Sequence, residues 1–307
     1  MRRLALLVLV LLSVSAGALA ASIRSVTTPG PVVALAMDGR EVAYADGPSA
    51  RDCDRVRIWN LQTRRVTTLG RTTPCVQTST GTAIAKVSLA EGRVLWLHYT
   101  GGNIREWRLF TATRGSPRPR LLRFVARDVD AAAPIVLGDG NGSRFGSFLP
   151  YATDRDVTVL RPNGSRAFTW RAPARVVALS AHFGRIALAS EGGHVTILDS
   201  TGRPIRTEDF GQELSEVMLS GDGVLVQRGR TLELRRPGVS RSFLVPGRSR
   251  LNDTIGERAI YVASGQIREL SFADGSDRLI ASGSQAKAEL STLSFASGLR
   301  VFVRPLP

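Results

Sequence analysis

The chain has 307 residues, 43% of them hydrophobic, and a formal net charge of +15. It is long enough to bury a sizeable core in one or two domains, and no stretch beyond the first twenty residues is long and apolar enough to span a membrane. The charge will draw the protein towards anionic surfaces, and the 41 basic residues include only two lysines, Lys86 and Lys287.

Residues 1–20 read as a signal peptide. Arg2 and Arg3 form a positive start, Leu4–Leu12 is an unbroken apolar run, and Ala18-Leu19-Ala20 is a small-x-small cleavage site, so the mature chain is expected from Ala21. An exported chain with two cysteines, Cys53 and Cys75, predicts a disulfide. It would close a loop of about 22 residues and contribute about 3 kcal/mol in the chain-entropy model.

From Val32 onwards a unit of four short strands, a to d, repeats. The first copy reads Val32–Met37, Val42–Ala45, Val56–Leu61 and Val66–Leu69. The second reads Ala83–Leu89, Val94–Tyr99, Ile104–Phe110 and Arg120–Phe124. The third is the least regular, with Ile135–Leu137, Phe145–Pro150, Val157–Arg161 and Arg166–Trp170. The fourth is the clearest: Val176–Ala181, Ile186–Ser190, His194–Asp199 and Pro204–Phe210. The fifth and sixth run from Glu216 to Val245 and from Asn252 to Ala281. Tight turns such as Asp38-Gly39, Asn163-Gly164 and Asp274-Gly275 supply the positive φ that short hairpins require. A fixed period of four short strands specifies an all-β fold, a β-propeller of four-stranded antiparallel blades in a single domain over 21–307.

Seven blades are favoured over six. A further copy begins at Glu289–Phe295 and Leu299–Arg304, and Ile23–Thr28 is the candidate for closing the ring. One difficulty follows. If the C-terminus supplies only two strands, the N-terminal strand would have to run parallel to its neighbour.

At Val56-Arg57-Ile58-Trp59-Asn60-Leu61-Gln62-Thr63 the chain resembles the third strand of a WD-repeat blade, with Asn60 where aspartate is usual; Ile104-Arg105-Glu106-Trp107 is a fainter version. At the level of architecture the resemblance extends to the TolB-like exported propellers. It implies a fold and a binding platform, with Trp59 packing between blades, and it carries no site residues.

Strand order places the a–b and c–d turns on one face and the b–c and d–a loops on the other. Both cysteines and most of the long connections, 46–54, 70–81, 125–134 and 246–251, fall on the second face, with 111–119 the exception on the first. Binding loops on a rigid scaffold tend to be the long ones. The expected ligand or partner residues are therefore His98, Tyr99, Tyr151, Asp154, Arg155, His194, Arg228, Arg230, Arg248 and Arg250.

Motifs for chemistry are sparse. Gly138-Asp139-Gly140-Asn141-Gly142-Ser143 resembles a calcium loop, but Arg144 and Pro150 stand where an EF-hand needs glycine and glutamate. His98, His182 and His194 have no metal-ligand spacing, and there is no Gly-x-Ser-x-Gly. No metal, cofactor or catalytic residue is expected. Arginines crowd Arg228–Arg250 and Arg114–Arg127 as a candidate polyanion track. Aromatics are few, which argues against nucleic acid. The expectation is a monomeric, exported, non-enzymatic platform that binds a protein or an anionic polymer at the cell envelope, secreted, periplasmic or wall-associated. The alternative is a lyase or hydrolase with its site at the channel mouth.

Overall fold

The computed structural model describes residues 23–46, 55–70, 81–140, 146–211 and 213–306. Cys53, Cys75 and residues 1–20 lie outside them. Among the described residues, 28 strands form seven four-stranded antiparallel sheets and no helix. In strand order a to d, the first blade is Val32–Asp38, Glu41–Asp46, Val56–Asn60 and Val66–Thr68. The second is Thr82–Ala90, Arg93–Thr100, Ile104–Thr113 and Ser116–Asp128. The third is Ile135–Leu137, Leu149–Thr153, Asp156–Leu160 and Arg166–Arg171, and the fourth Val176–His182, Arg185–Ser190, His194–Leu198 and Pro204–Asp209. The fifth is Glu216–Ser220, Gly223–Arg228, Thr231–Arg236 and Val239–Leu244, and the sixth Ser249–Ile255, Arg258–Ala263, Gln266–Ser271 and Asp277–Ser282.

The seventh blade closes the ring. The C-terminus supplies three strands, Gln285–Glu289, Thr292–Ser297 and Arg300–Pro305, and Arg24–Thr27 is the outer fourth. Arg24 lies opposite Val303 and Thr27 opposite Arg300, so the N-terminal strand pairs antiparallel. The parallel-pairing difficulty disappears because strand a is Gln285–Glu289, which a two-strand reading from Glu289 passes over. Its sequence, Gln-Ala-Lys-Ala-Glu, has no β-branched or aromatic residue to signal a strand.

Two other boundaries differ from the sequence reading. Strand b of the third blade is Leu149–Thr153 rather than Phe145–Pro150, because Leu149, Tyr151 and Ala152 carry the buried positions. The stretch 111–119 is a tight hairpin, not a long loop: strands Ile104–Thr113 and Ser116–Asp128 meet at Arg114-Gly115. Pro117 and Pro119 are tolerated because this strand is the outermost of its blade, where missing N–H groups interrupt no second ladder.

Seven apolar clusters lie one at each junction between neighbouring blades. Between the first and second blades, the fully buried Trp96 stacks on Phe110 at 5.7 Å. Trp59 packs at the junction of the seventh and first blades, against Val301 and Val303, which is the packing role its motif implied. Asn60 beside it accepts the N–H of Thr63 at 2.8 Å and that of Gln62 at 3.1 Å, closing the c–d turn. Asp199 does the same in the fourth blade, accepting from Thr201 and Arg203. Inner strands carry alanine where strands converge on the axis, at Ala34, Ala36, Ala178, Ala286 and Ala288.

Candidate functional site

Strand a of each blade lines the central channel, so the residues it turns inward decide what the channel can hold. Two cavities occupy it. The larger, about 710 Å³, is lined by the last residues of the inner strands and by a–b turn residues, including Met37, His182, Phe183, Ile255, Glu289 and Leu290. It therefore opens on the a–b face. The smaller, about 140 Å³, is lined by the first residues of the inner strands, including Val33, Lys86, Glu216, Arg250 and Gln285, and opens on the opposite face. Asp139 and Lys287 line both cavities, so they stand between them.

The local sequence explains how Asp139 gets there. It follows the short strand Ile135–Leu137 and makes a parallel bridge to Ser180 of the next blade, its carbonyl accepting the Ala181 N–H at 3.1 Å. Glycines flank it because nothing larger fits. A Cβ on Gly138 would lie 2.8 Å from Leu179 Cβ and from Pro150 Cγ, and one on Gly140 would press on the Leu89 carbonyl and lie 2.8 Å from Ser88 Oγ. The Gly-Asp-Gly run that resembles a calcium loop serves to thread a carboxylate between blades.

That carboxylate meets both lysines of the chain. Lys287 Nζ lies 3.0 Å from Asp139 Oδ1 and Lys86 Nζ lies 3.6 Å away. Lys287 also donates to the Asn252 carbonyl at 2.6 Å. A compact ammonium fits a narrow channel in a way the wide guanidinium fork does not. Burial alone would raise the Asp139 carboxyl, but Lys287 and Lys86 outweigh it and hold it below its ordinary value. Burial alone would lower Lys287, but Asp139 and Asp253 outweigh it and hold the ammonium charged.

Three further carboxylates face the same space and are pushed the other way. Burial raises Glu216. Burial, against the pull of Lys287, pushes Asp253 up to about 6. Burial, reinforced by Asp38, pushes Glu289 up to about 7. Both oxygens of Asp253 accept backbone N–H groups, from Thr254 at 2.8 Å and Ala288 at 2.9 Å, and Glu289 accepts the N–H of Gly39. His182, at the rim, is drawn down to about 4 by burial with Arg185 beside it.

The rim is apolar and strained. Six a–b turns place their first residue at positive φ. Glycine fills that position at Gly39, Gly221 and Gly256, whereas Glu91, Phe183 and Leu290 fill it with side chains, at φ 44°, 46° and 52°. Phe183 and Leu290 line the larger cavity and are 45% and 79% exposed. The His182 ring meets Phe183 edge-on at 4.1 Å. The turns thus carry two bulky apolar side chains where backbone energetics favour glycine and where much of each side chain stays exposed.

The sequence-predicted residues lie elsewhere and apart. His98 is fully buried inside the second blade and Tyr151 is 3% exposed in the core between the second and third. Tyr99 packs on Trp107 at 5.3 Å with Arg105 over its ring. Asp154 pairs with Arg127 at 2.6 Å, and Arg155 donates to the Ala172 carbonyl. His194 stands at the surface, 3.7 Å from Asp209. Arg228 meets Glu233 at 3.5 Å, Arg230 donates to the Val245 carbonyl, and Arg248 is exposed. Among these ten, Arg250 lines a channel cavity, donating to Gln285 at 2.8 Å. In the arginine run, Arg235 and Arg236 are occupied by Glu233 and Glu257, and Arg241 by the carbonyls of Phe272 and Ala273.

No family model matches the chain, and no curated protein matches it. Solved structures do. A chain of the Mitotic Checkpoint Complex aligns with a TM-score of 0.58 at 12% identity, covering 92% of this chain and 95% of that one. The WD40 propeller domain of Doa1 aligns with a TM-score of 0.56 at 11% identity, covering 92% and 95%. Chaetomium thermophilum Raptor aligns at 0.58 and 12% identity over 92% of this chain and 28% of its own. At such identities the likeness is one of fold: a seven-bladed, WD40-like propeller. Among the described residues no helix is long and apolar enough to cross a membrane.

Proposed function

We propose that the protein is a non-catalytic binding platform that takes a segment of a partner protein into the funnel on the a–b face. The observation that carries this is the rim: Phe183 and Leu290 sit exposed, at strained positive φ, on a cavity of about 710 Å³. Strain kept in exposed turns clusters at functional positions, and exposed apolar side chains around a concavity are the ordinary anchor of a partner. The floor sets the complement. Asp139, Asp253 and Glu289 outnumber Lys287 there, so a segment with an apolar side chain followed by a basic one suits it best.

The test uses Phe183→Gly with Leu290→Gly. Glycine relieves the turn strain, so the double variant should be at least as stable as the parent in denaturant, while its capture of partner from extracts of the producing cells should be lost. Retained capture would contradict the proposal.

A second reading, a hydrolase or lyase at the channel mouth, has one feature in its favour: two carboxyls of one cavity, Asp253 and Glu289, are pushed up by burial to about 6 and about 7. Against it, both oxygens of Asp253 and one of Glu289 already hold backbone N–H groups. Glu289→Gln separates the readings, since turnover would be abolished with the acid while partner capture, anchored by Phe183 and Leu290, would weaken without being lost.

We further propose that the protein works outside the cytoplasm, at the cell envelope, on the strength of the residue 1–20 pattern. N-terminal sequencing of the protein from its producing cells should begin at Ala21; an intact Met1 would contradict export.

A further inference from the structure

We infer that a groove between the second and third blades is a binding site for a tetrahedral oxyanion, a phosphate group carried on a larger molecule. The groove holds about 400 Å³ and lies on the rim of the same face as the funnel, where the c–d hairpin of the second blade meets the Asn163-Gly164-Ser165 turn of the third. Three guanidiniums line it, those of Arg93, Arg118 and Arg120, and no carboxylate does.

Arg93 is held in place from below. It donates to the Pro162 carbonyl and to Thr111 Oγ1, the latter at 3.1 Å, and its guanidinium lies against Gly164, where a Cβ would come within 3.0 Å of it. Arg118 and Arg120 are exposed, and among the described residues neither has a hydrogen-bond or ion-pair partner. Burial, with Arg120 nearby, depresses Arg93. Three like charges line one groove with no carboxylate among the described residues paired to them, and an anion would relieve the repulsion. Residues 71–80, which follow the Gly70 that donates to the Pro117 carbonyl, include no acidic residue.

Other basic surfaces differ. In the groove around Arg206, Arg235 and Arg236, every arginine has a carboxylate. In the groove around Arg24, Arg40, Arg64 and Arg304, three of the four arginines are committed to Leu61, Gln62 and Ile280. A guanidinium fork pairs with carboxylate and phosphate alike, but three of them together with the hydroxyls of Ser116 and Ser165 offer more donors than a carboxylate's two oxygens can take, which favours a tetrahedral group with three or more acceptor oxygens. A cavity of this size exceeds a free phosphate, which is why the group is assigned to a larger carrier.

The experiment is calorimetric titration of the full mature protein with sodium phosphate and with sodium acetate at one ionic strength. Saturable phosphate binding that acetate does not reproduce is expected. Arg118→Gln with Arg120→Gln should weaken it by at least about tenfold. Arg203→Gln with Arg300→Gln removes the same charge elsewhere and should leave it nearly unchanged. No saturable binding, equal binding of acetate, or equal loss in the two double variants would overturn the site. Pocket-dependent binding of phosphatidylglycerol vesicles would assign the phosphate to a lipid headgroup, and of soluble polyphosphate alone to a soluble chain. Binding of neither would overturn the assignment to a larger carrier.

Discussion

The two lysines make the argument at the scale of residues. In a chain whose other basic residues are all arginine, both turn inward to one carboxylate. Removing Lys287 leaves Asp139 with Lys86 alone, so Lys287→Met should destabilise by less than the roughly 3–5 kcal/mol of a fully stranded buried charge. Adding Lys86→Met strands the carboxylate and should bring the loss up to that range. Denaturant unfolding of the two variants measures both. Glu289 gives a pH signature. Its folded-state pKa, about 7, lies above the ordinary 4.5, so folding binds its proton more tightly than the unfolded chain does. The stabilisation is complete below pH 4.5 and lost as pH rises through 7. Glu289→Gln should therefore exceed the parent in stability at pH 8 and match it at pH 4; a constant difference across that range would contradict the assignment. The scarcity of lysine was visible in the sequence, but its destination was not, because Asp139, Lys86 and Lys287 meet only when the ring closes.

At the scale of elements, turns and inner strands carry the site. Strand periodicity and Gly-containing turns made six blades legible, since burial in a half-covered strand writes itself as alternation. What stayed hidden obeyed other rules. Gln285–Glu289 lacks strand formers because its polar residues line the channel and its alanines fill a close-packed junction with the sixth blade. Loop length pointed to the b–c face, whereas the funnel opens among two-residue turns whose signal is a φ that sequence does not display. The Gly138-Asp139-Gly140 segment is the element with least tolerance. Gly140→Ala should destabilise by about 1–3 kcal/mol through overpacking against the second blade, while a substitution at exposed Gly115, where a Cβ meets nothing, should be near neutral. Comparable losses at both positions, read by thermal unfolding, would contradict this account.

The whole molecule is a closed ring whose termini share a blade. The strand Arg24–Thr27 covers the edge of Arg300–Pro305, with Thr28 N–H donating to the Leu299 carbonyl at 2.9 Å. Deleting residues 21–28 should expose that edge, lower the melting temperature and promote association between copies, which light scattering at two protein concentrations would register. Closure also fixes the polarity of the channel: an ion pair across the middle, a narrow basic mouth on one side and an apolar funnel on the other. The central claim is that partners enter through the funnel. The most direct measurement places a photo-crosslinking residue in turn at Leu290, on the funnel rim, and at Arg248, on the opposite face, in the producing cells. A partner adduct from position 290 and none from 248 is predicted; adducts from 248 alone would contradict the account.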